Sequence, residues 1–293
     1  MRIGLAANRL HHSRLGSPLF DWLRHTEAGI RELDLDLCAV GGTYDAIVRH
    51  GLLVGYARLQ RYPRGRDGGL VKLVADVVAL DESDNVLDGM IYLVDPIDSS
   101  SILPEAIALK RQCVIYQKPF ISTVASAFDW IEMERIRAGL APDDAADRFH
   151  AISSQTLALI AHDALKSQMA SFVDDHFELL SQFAHRVSTG TTGGNLNALA
   201  WALGWPQGRL WTECCRSGPI GGDAQIANLI FEQRCDRLFF FEDPHVARQH
   251  EADIQLLERA VTAVTNDVVC IASPRVARHW AEMTEKRAKL RPC

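Results

Sequence analysis

The chain runs through one long pattern twice, and a repeat of this period restricts the fold more than any local motif does. "RIGLAANR" (Arg2 to Arg9) and "LALIAHD" (Leu157 to Asp163) are short apolar runs closing on Ala and a polar pair. Amphipathic stretches follow, then "LCAVGGTYDAI" (Leu37 to Ile47) and "RVSTGTTGGNL" (Arg186 to Leu196). "RYPRGRDGGLVKLV" (Arg61 to Val74) answers "RSGPIGGDAQIANLI" (Arg216 to Ile230), a match that sets Asp67 against Asp223. "MIYLVDP" (Met90 to Pro96) answers "LFFFEDP" (Leu238 to Pro244), setting Asp95 against Asp243. A fifth strand is expected in "QCVIYQ" (Gln112 to Gln117) and in "DVVCIAS" (Asp267 to Ser273), and each half closes on a helix.

These strand segments are continuous apolar runs rather than alternating ones, and helical stretches separate them. That is how parallel sheets covered on both faces read. The expectation is an α/β chain of two tandem three-layer α/β/α domains, each with a five-stranded parallel sheet, over residues 1–145 and 150–293. The join falls within Ala138 to Thr156, where Pro, Asp and Ser cluster. A length of 293 residues suffices for two such domains.

Composition narrows the partners. A net charge of −6, with no basic run interleaved with aromatics, argues against a nucleic-acid surface. No stretch approaches the roughly 18 apolar residues of a membrane helix, and the start lacks the order of a signal peptide, so a cytoplasmic protein is expected. Seven cysteines without a C-x-x-C spacing read as reduced residues packed mostly in the core, and no cofactor or metal is expected.

In open parallel sheets, ligands bind beyond the carboxyl ends of the strands. In the second half that rim collects His162 and Asp163 after the first strand, Thr189 to Gly194 after the second, Ser217 to Asp223 after the third, and Asp243 after the fourth. Thr191, Thr192, backbone amides and the turn at Ser217 and Gly218 can cradle a phosphate, with Lys166 adding a point charge. Asp223, Asp243 and Asp253, with His250 one helical turn before Asp253, form an acid/base set suited to proton abstraction beside a carbonyl. Some of these, and the remaining histidines, have a plainer reading. Asp163 and Asp253 suit helix N-termini, Asp243-Pro244 suits a turn, and His176, His185 and His245 read as solvated positions.

The segments "IAHDALK", "TGTTGGN", "SGPIGGDAQ" and "FFFEDP", with His250 and Asp253 beyond them, resemble methylglyoxal synthase over about Gln155 to Ala281. The resemblance implies conversion of dihydroxyacetone phosphate to methylglyoxal and inorganic phosphate without a metal, in a homo-oligomer: three tandem chains as a pseudo-hexamer, or a dimer. It implies Asp223 as the base, His250 as the group polarising the carbonyl, and Asp253, Asp243, His162 and Asp163 within the site. Phosphate would be held by Lys166, Thr189, Thr191, Thr192, Ser217 and Gly218, with Arg259 at an arginine position of the family. The chain departs from the family in an extra glycine after the threonines and in the tail from His279 onward.

The first half keeps the pattern and loses side chains. Asn8 and Arg9 stand for His162 and Asp163, Val40 and Gly42 for Thr189 and Thr191, and Ile102 and Glu105 for His250 and Asp253, while Thr43, Asp67, Asp95 and Arg111 remain. That half reads as a non-catalytic partner, structural or binding a phosphorylated effector through Arg64, Arg66 and Thr43. The alternative for the whole chain is a regulatory sensor of a phosphorylated ligand without turnover. A carboxylate base set beside a phosphate argues for the enzyme, since its charge opposes a merely bound anion.

Overall fold

The computed structural model describes residues 1–14, 16–79, 85–245 and 251–291, without the side chains of Ile102, Pro219 and 251–254. The chain divides into two compact units, Met1–Ala145 and Ala146–Cys293.

The first unit runs β1 (Arg2–Ala7), α1 (Pro18–Glu32), β2 (Asp36–Ala39), α2 (Gly41–Arg49), β3 (Leu59–Arg61), α3 (Gly69–Val78), β4 (Gly89–Leu93), α4 (Pro104–Ile115), β5 (Phe120–Ile121) and α5 (Val124–Arg137). The second runs α6 (Asp147–His150), β6 (Thr156–Ala161), α7 (Lys166–Asp175), α8 (Phe177–Leu180), β7 (His185–Ser188), α9 (Gly190–Ala202), β8 (Glu213–Cys214), α10 (Gly222–Phe231), β9 (Arg237–Phe241), α11 (Glu251–Ala263), β10 (Val269–Ile271) and α12 (Pro274–Leu290). The sheets are β3-β2-β1-β4-β5 and β10-β9-β6-β7-β8, and every pairing is parallel. Each half therefore winds outward from its first strand in one direction and then the other.

Alternation along the central strands builds the layers. Leu238 and Phe240 of β9 pack with Ala158 and Ile160 of β6 against Ile226, Ala227 and Ile230 of α10 and Leu257, Ala260 and Val261 of α11. Phe239 and Phe241 point the other way, meeting Phe172 of α7, and Phe239 also meets Trp280 of α12. Each buried Leu, Ile, Val or Phe among these contributes about 1.5–3 kcal/mol by removal from water. In the first unit, Met90 and Tyr92 of β4 face Leu73 and Val77 of α3 and Leu109 and Cys113 of α4.

The fifth strand of the first unit departs from expectation. "QCVIYQ" is not a strand: Gln112 to Ile115 complete α4, and the strand is Phe120–Ile121. Ala106, Leu109, Cys113 and Val114 bury one helical stripe, and a short apolar run cannot by itself distinguish strand from helix. The cysteines also divide: Cys38, Cys113 and Cys235 are buried, whereas Cys214 is exposed on an edge strand.

Candidate active site

The sheet of the second unit reverses its direction of winding between β6 and β9, and a crevice forms where the chain leaves such a pair in opposite directions. His162 leaves β6 there, its backbone N–H donating to Phe241 O at 3.1 Å. Asp243 leaves β9, and its backbone N–H donates to His162 Nδ1 at 2.8 Å. A backbone amide is always a donor, so Nδ1 is the lone-pair nitrogen and the proton of the neutral ring sits on Nε2. The ring is further held edge-on by Phe240, with centroids 4.9 Å apart. The Asp243 carboxylate accepts the His245 N–H at 2.9 Å, the turn role that its sequence context allows, while the same residue orients the histidine.

The threonine loop opens α9. Thr189 precedes its first turn, and Thr189 and Thr192 are buried with their hydroxyls 3.4 Å apart, while Thr191 is exposed. Glycine is required by close approach at two places in this loop. A Cβ on Gly193 would strike Ser188 Oγ and lie 2.6 Å from Cys214 Sγ; one on Gly190 would lie 3.0 Å from Ser217 N and 3.2 Å from Ser217 Oγ. The threonine loop and the Ser217 turn are thus in contact. The turn in its own right reaches Asp223, because a Cβ on Gly218 would lie 3.0 Å from Asp223 Oδ2. Hydroxyls, helix-opening amides and a carboxylate stand side by side.

Lys166 and Asp163 pair with each other, and the Asp163 side chain is 94% exposed. Asp163 opens the short 3-10 turn Asp163–Leu165, and α7 begins at Lys166 directly after it. His250 lies outside the described residues. Asp253 belongs to α11, its side chain outside the description. Arg259 is exposed on the same helix. His176, read as solvated, has a side chain only 11% exposed, packed on Phe172 and 3.3 Å from Glu285 Oε1. Among the described residues, no group of three or more His, Cys, Asp or Glu side chains is placed to hold a metal ion.

Two positioning residues carry no sequence signal. Asn197 of α9 is buried, accepting from Trp211 N–H at 2.8 Å and Thr212 N–H at 3.0 Å and donating to Thr212 O at 3.0 Å. Arg186 in β7 is buried and donates to Trp211 O at 2.7 Å and Phe183 O at 2.6 Å. Together they fasten the segment that leads into the Ser217 turn.

The corresponding edge of the first unit is closed by its own side chains. Asn8 donates to Ser100 Oγ at 3.2 Å and Ser101 Oγ at 2.8 Å, and the Asp95 N–H goes to Ser101 Oγ where Asp243 uses an imidazole. Arg9 pairs with Asp98, whose carboxyl is held down to about 2 first by Arg9 and then by the Ser100 amide. Thr43 is buried and accepts the Ala7 N–H at 3.0 Å, and Arg64 pairs with Asp45 at 3.0 Å. Thr43 and Arg64 are thus committed within the unit.

The alignment of Asp67 with Asp223 is also corrected. Gly68 and Gly221 both adopt left-handed backbone (φ 86° and 99°), and Gly69 and Gly222 open α3 and α10. Gly69 N–H donates to Arg64 O at 2.9 Å and Gly222 N–H to Ser217 O at 3.0 Å. Leu70, next along, takes the place of Asp223. The glycine pair, rather than the Pro and the Asp, is the register marker that would have given this match from sequence.

No family model matches the chain. It is 42% identical over 108 residues to a methylglyoxal synthase of Agrobacterium fabrum, covering 36% of this chain and 77% of that protein. It is 40% identical over 116 residues to a methylglyoxal synthase of Moorella thermoacetica, covering 38% and 83%. A crystal structure of methylglyoxal synthase from Elizabethkingia anophelis matches at 29% identity and a TM-score of 0.32, over 41% of this chain and 72% of that one. Among the described residues no helix is long and apolar enough to cross a membrane.

Proposed function

We propose, from the premise that this chain belongs to the methylglyoxal synthase family, that its second unit eliminates phosphate from dihydroxyacetone phosphate to give methylglyoxal. The observation that carries the reading is the Asp223 carboxylate set against Gly218, in a turn that itself touches the threonine loop at Gly190. A binding protein gains nothing from a negative charge beside a bound phosphate; an enzyme that removes a proton near that phosphate requires one.

In this reading the phosphate rests on the loop of Thr189, Thr191 and Thr192 and the turn of Ser217 and Gly218. Asp223 takes a proton from the hydroxymethyl carbon next to the carbonyl. The electron pair of that C–H bond becomes the double bond of an enediolate. His162, with its proton on Nε2, and His250 donate to the two enediolate oxygens as neutral imidazoles. Collapse of the enediolate expels phosphate from the carbon on the other side, breaking the C–O bond and leaving the enol of methylglyoxal, which ketonises. Asp243 orients His162 through its backbone amide, and Asp253 supports His250. Asp163 and Lys166 act as a pair at the rim, Lys166 reaching the phosphate when it leaves Asp163.

The first unit is proposed to be non-catalytic, since leucine stands where the base would be and asparagine where the histidine would be. Incubating the protein with dihydroxyacetone phosphate and following both products tests the reading. Methylglyoxal and inorganic phosphate are expected in equal amounts, and the absence of both would refute it.

A further inference from the structure

The backbone of Arg216 is wedged between the two helix starts of the candidate site. Gly190, first residue of α9, donates its N–H to Arg216 O at 3.0 Å, and a Cβ on Gly222, first residue of α10, would collide with that same carbonyl. The Arg216 N–H donates to Gln225 Oε1 at 2.8 Å, tying the residue to the second turn of α10. The next residue is Ser217. Arg216 thus starts from the seam where the threonine loop and the Ser217 turn meet.

Its side chain is exposed, and among the described residues no carboxylate pairs with it. Lys166, the other cation assigned to this rim, is ion-paired with Asp163. In the first unit the same backbone geometry recurs with a different side chain. Gly41 N–H donates to Pro63 O at 3.0 Å, and a Cβ on Gly69 would collide with the Pro63 carbonyl. The fold at this seam accepts proline, so nothing in the backbone calls for arginine, and its presence in the second unit alone needs another reason.

We propose that Arg216 is a further substrate-binding residue of the second unit, its guanidinium closing over the phosphate held by the threonine loop and the Ser217 turn. Planar N–H pairs match two phosphate oxygens at once, which an ammonium does not. The inference rests on the functional reading above, and its test separates the two.

Calorimetric titration with inorganic phosphate, run beside turnover of dihydroxyacetone phosphate, is applied to the full chain, Arg216→Ala and Arg216→Lys. Arg216→Ala is expected to weaken phosphate binding and raise KM by about tenfold or more, with kcat within about threefold, and Arg216→Lys to recover part of the loss. Both variants should unfold at the temperature of the parent, as the side chain is exposed. Unchanged phosphate affinity in Arg216→Ala overturns the proposal, whatever the parent's turnover. A parent that binds phosphate through Arg216 and yields no methylglyoxal leaves the proposal standing and overturns the lyase reading.

Discussion

The backbone N–H of Asp243 donates to Nδ1 of His162 at 2.8 Å, joining the ends of the two strands that flank the crevice. The bond leaves Nε2–H as the ring's donor. His162→Ala is therefore expected to lower kcat by about a hundredfold or more while leaving phosphate affinity within about threefold. Progress curves for methylglyoxal formation, with calorimetry for phosphate, measure both. A rate within threefold of the parent would remove His162 from the chemistry.

Two adjacent glycines of the threonine loop should respond in opposite ways. A Cβ on Gly193 meets Ser188 Oγ and Cys214 Sγ, whereas nothing lies within 4 Å of one on Gly194. Gly193→Ala should destabilise by about 1–3 kcal/mol through overpacking. Gly194→Ala, inside α9, should stabilise by about 0.5–1 kcal/mol through lower unfolded-state entropy. Urea titrations of the two variants give the sign of each.

Asn197→Ala strands two buried amides and a carbonyl, those of Trp211 and Thr212, that Asn197 now satisfies. A loss of about 2–4 kcal/mol is expected from unpaired buried polar groups. Chemical denaturation followed by tryptophan fluorescence would register it, since Trp211 is itself buried in the affected segment.

The architecture was legible because burial on both faces of a parallel sheet leaves continuous apolar runs, and the repeat doubled that signal. Where the apolar run is short, as at Gln112 to Ile115, helix and strand read alike, and that run completes α4. The site was legible as residue types at strand ends. Two things were not. Whether a charge has a partner depends on neighbours that residue types do not reveal, so the ion pair of Lys166 with Asp163 was not legible. The register of Leu70 against Asp223 depends on backbone conformation at a glycine pair, which an alignment on charged residues passes over.

In the first unit, the pairing of Asp98 with Arg9 should appear as an acid titration. The Asp98 carboxyl sits at about 2, below its unfolded value near 3.9, so the stability it lends is complete above about pH 4 and is lost as pH falls toward 2. Carboxyl-carbon NMR should give that midpoint, and Arg9→Ala should raise it toward the ordinary aspartate range.

The most direct test is Asp223→Asn, which keeps shape and removes the base. The parent should form methylglyoxal and phosphate one for one. The variant should bind inorganic phosphate within about threefold of the parent while forming methylglyoxal about a thousandfold more slowly or not at all. The leucine-bearing first unit should supply no residual turnover. A variant that keeps turning over dihydroxyacetone phosphate within tenfold of the parent rate would contradict the account.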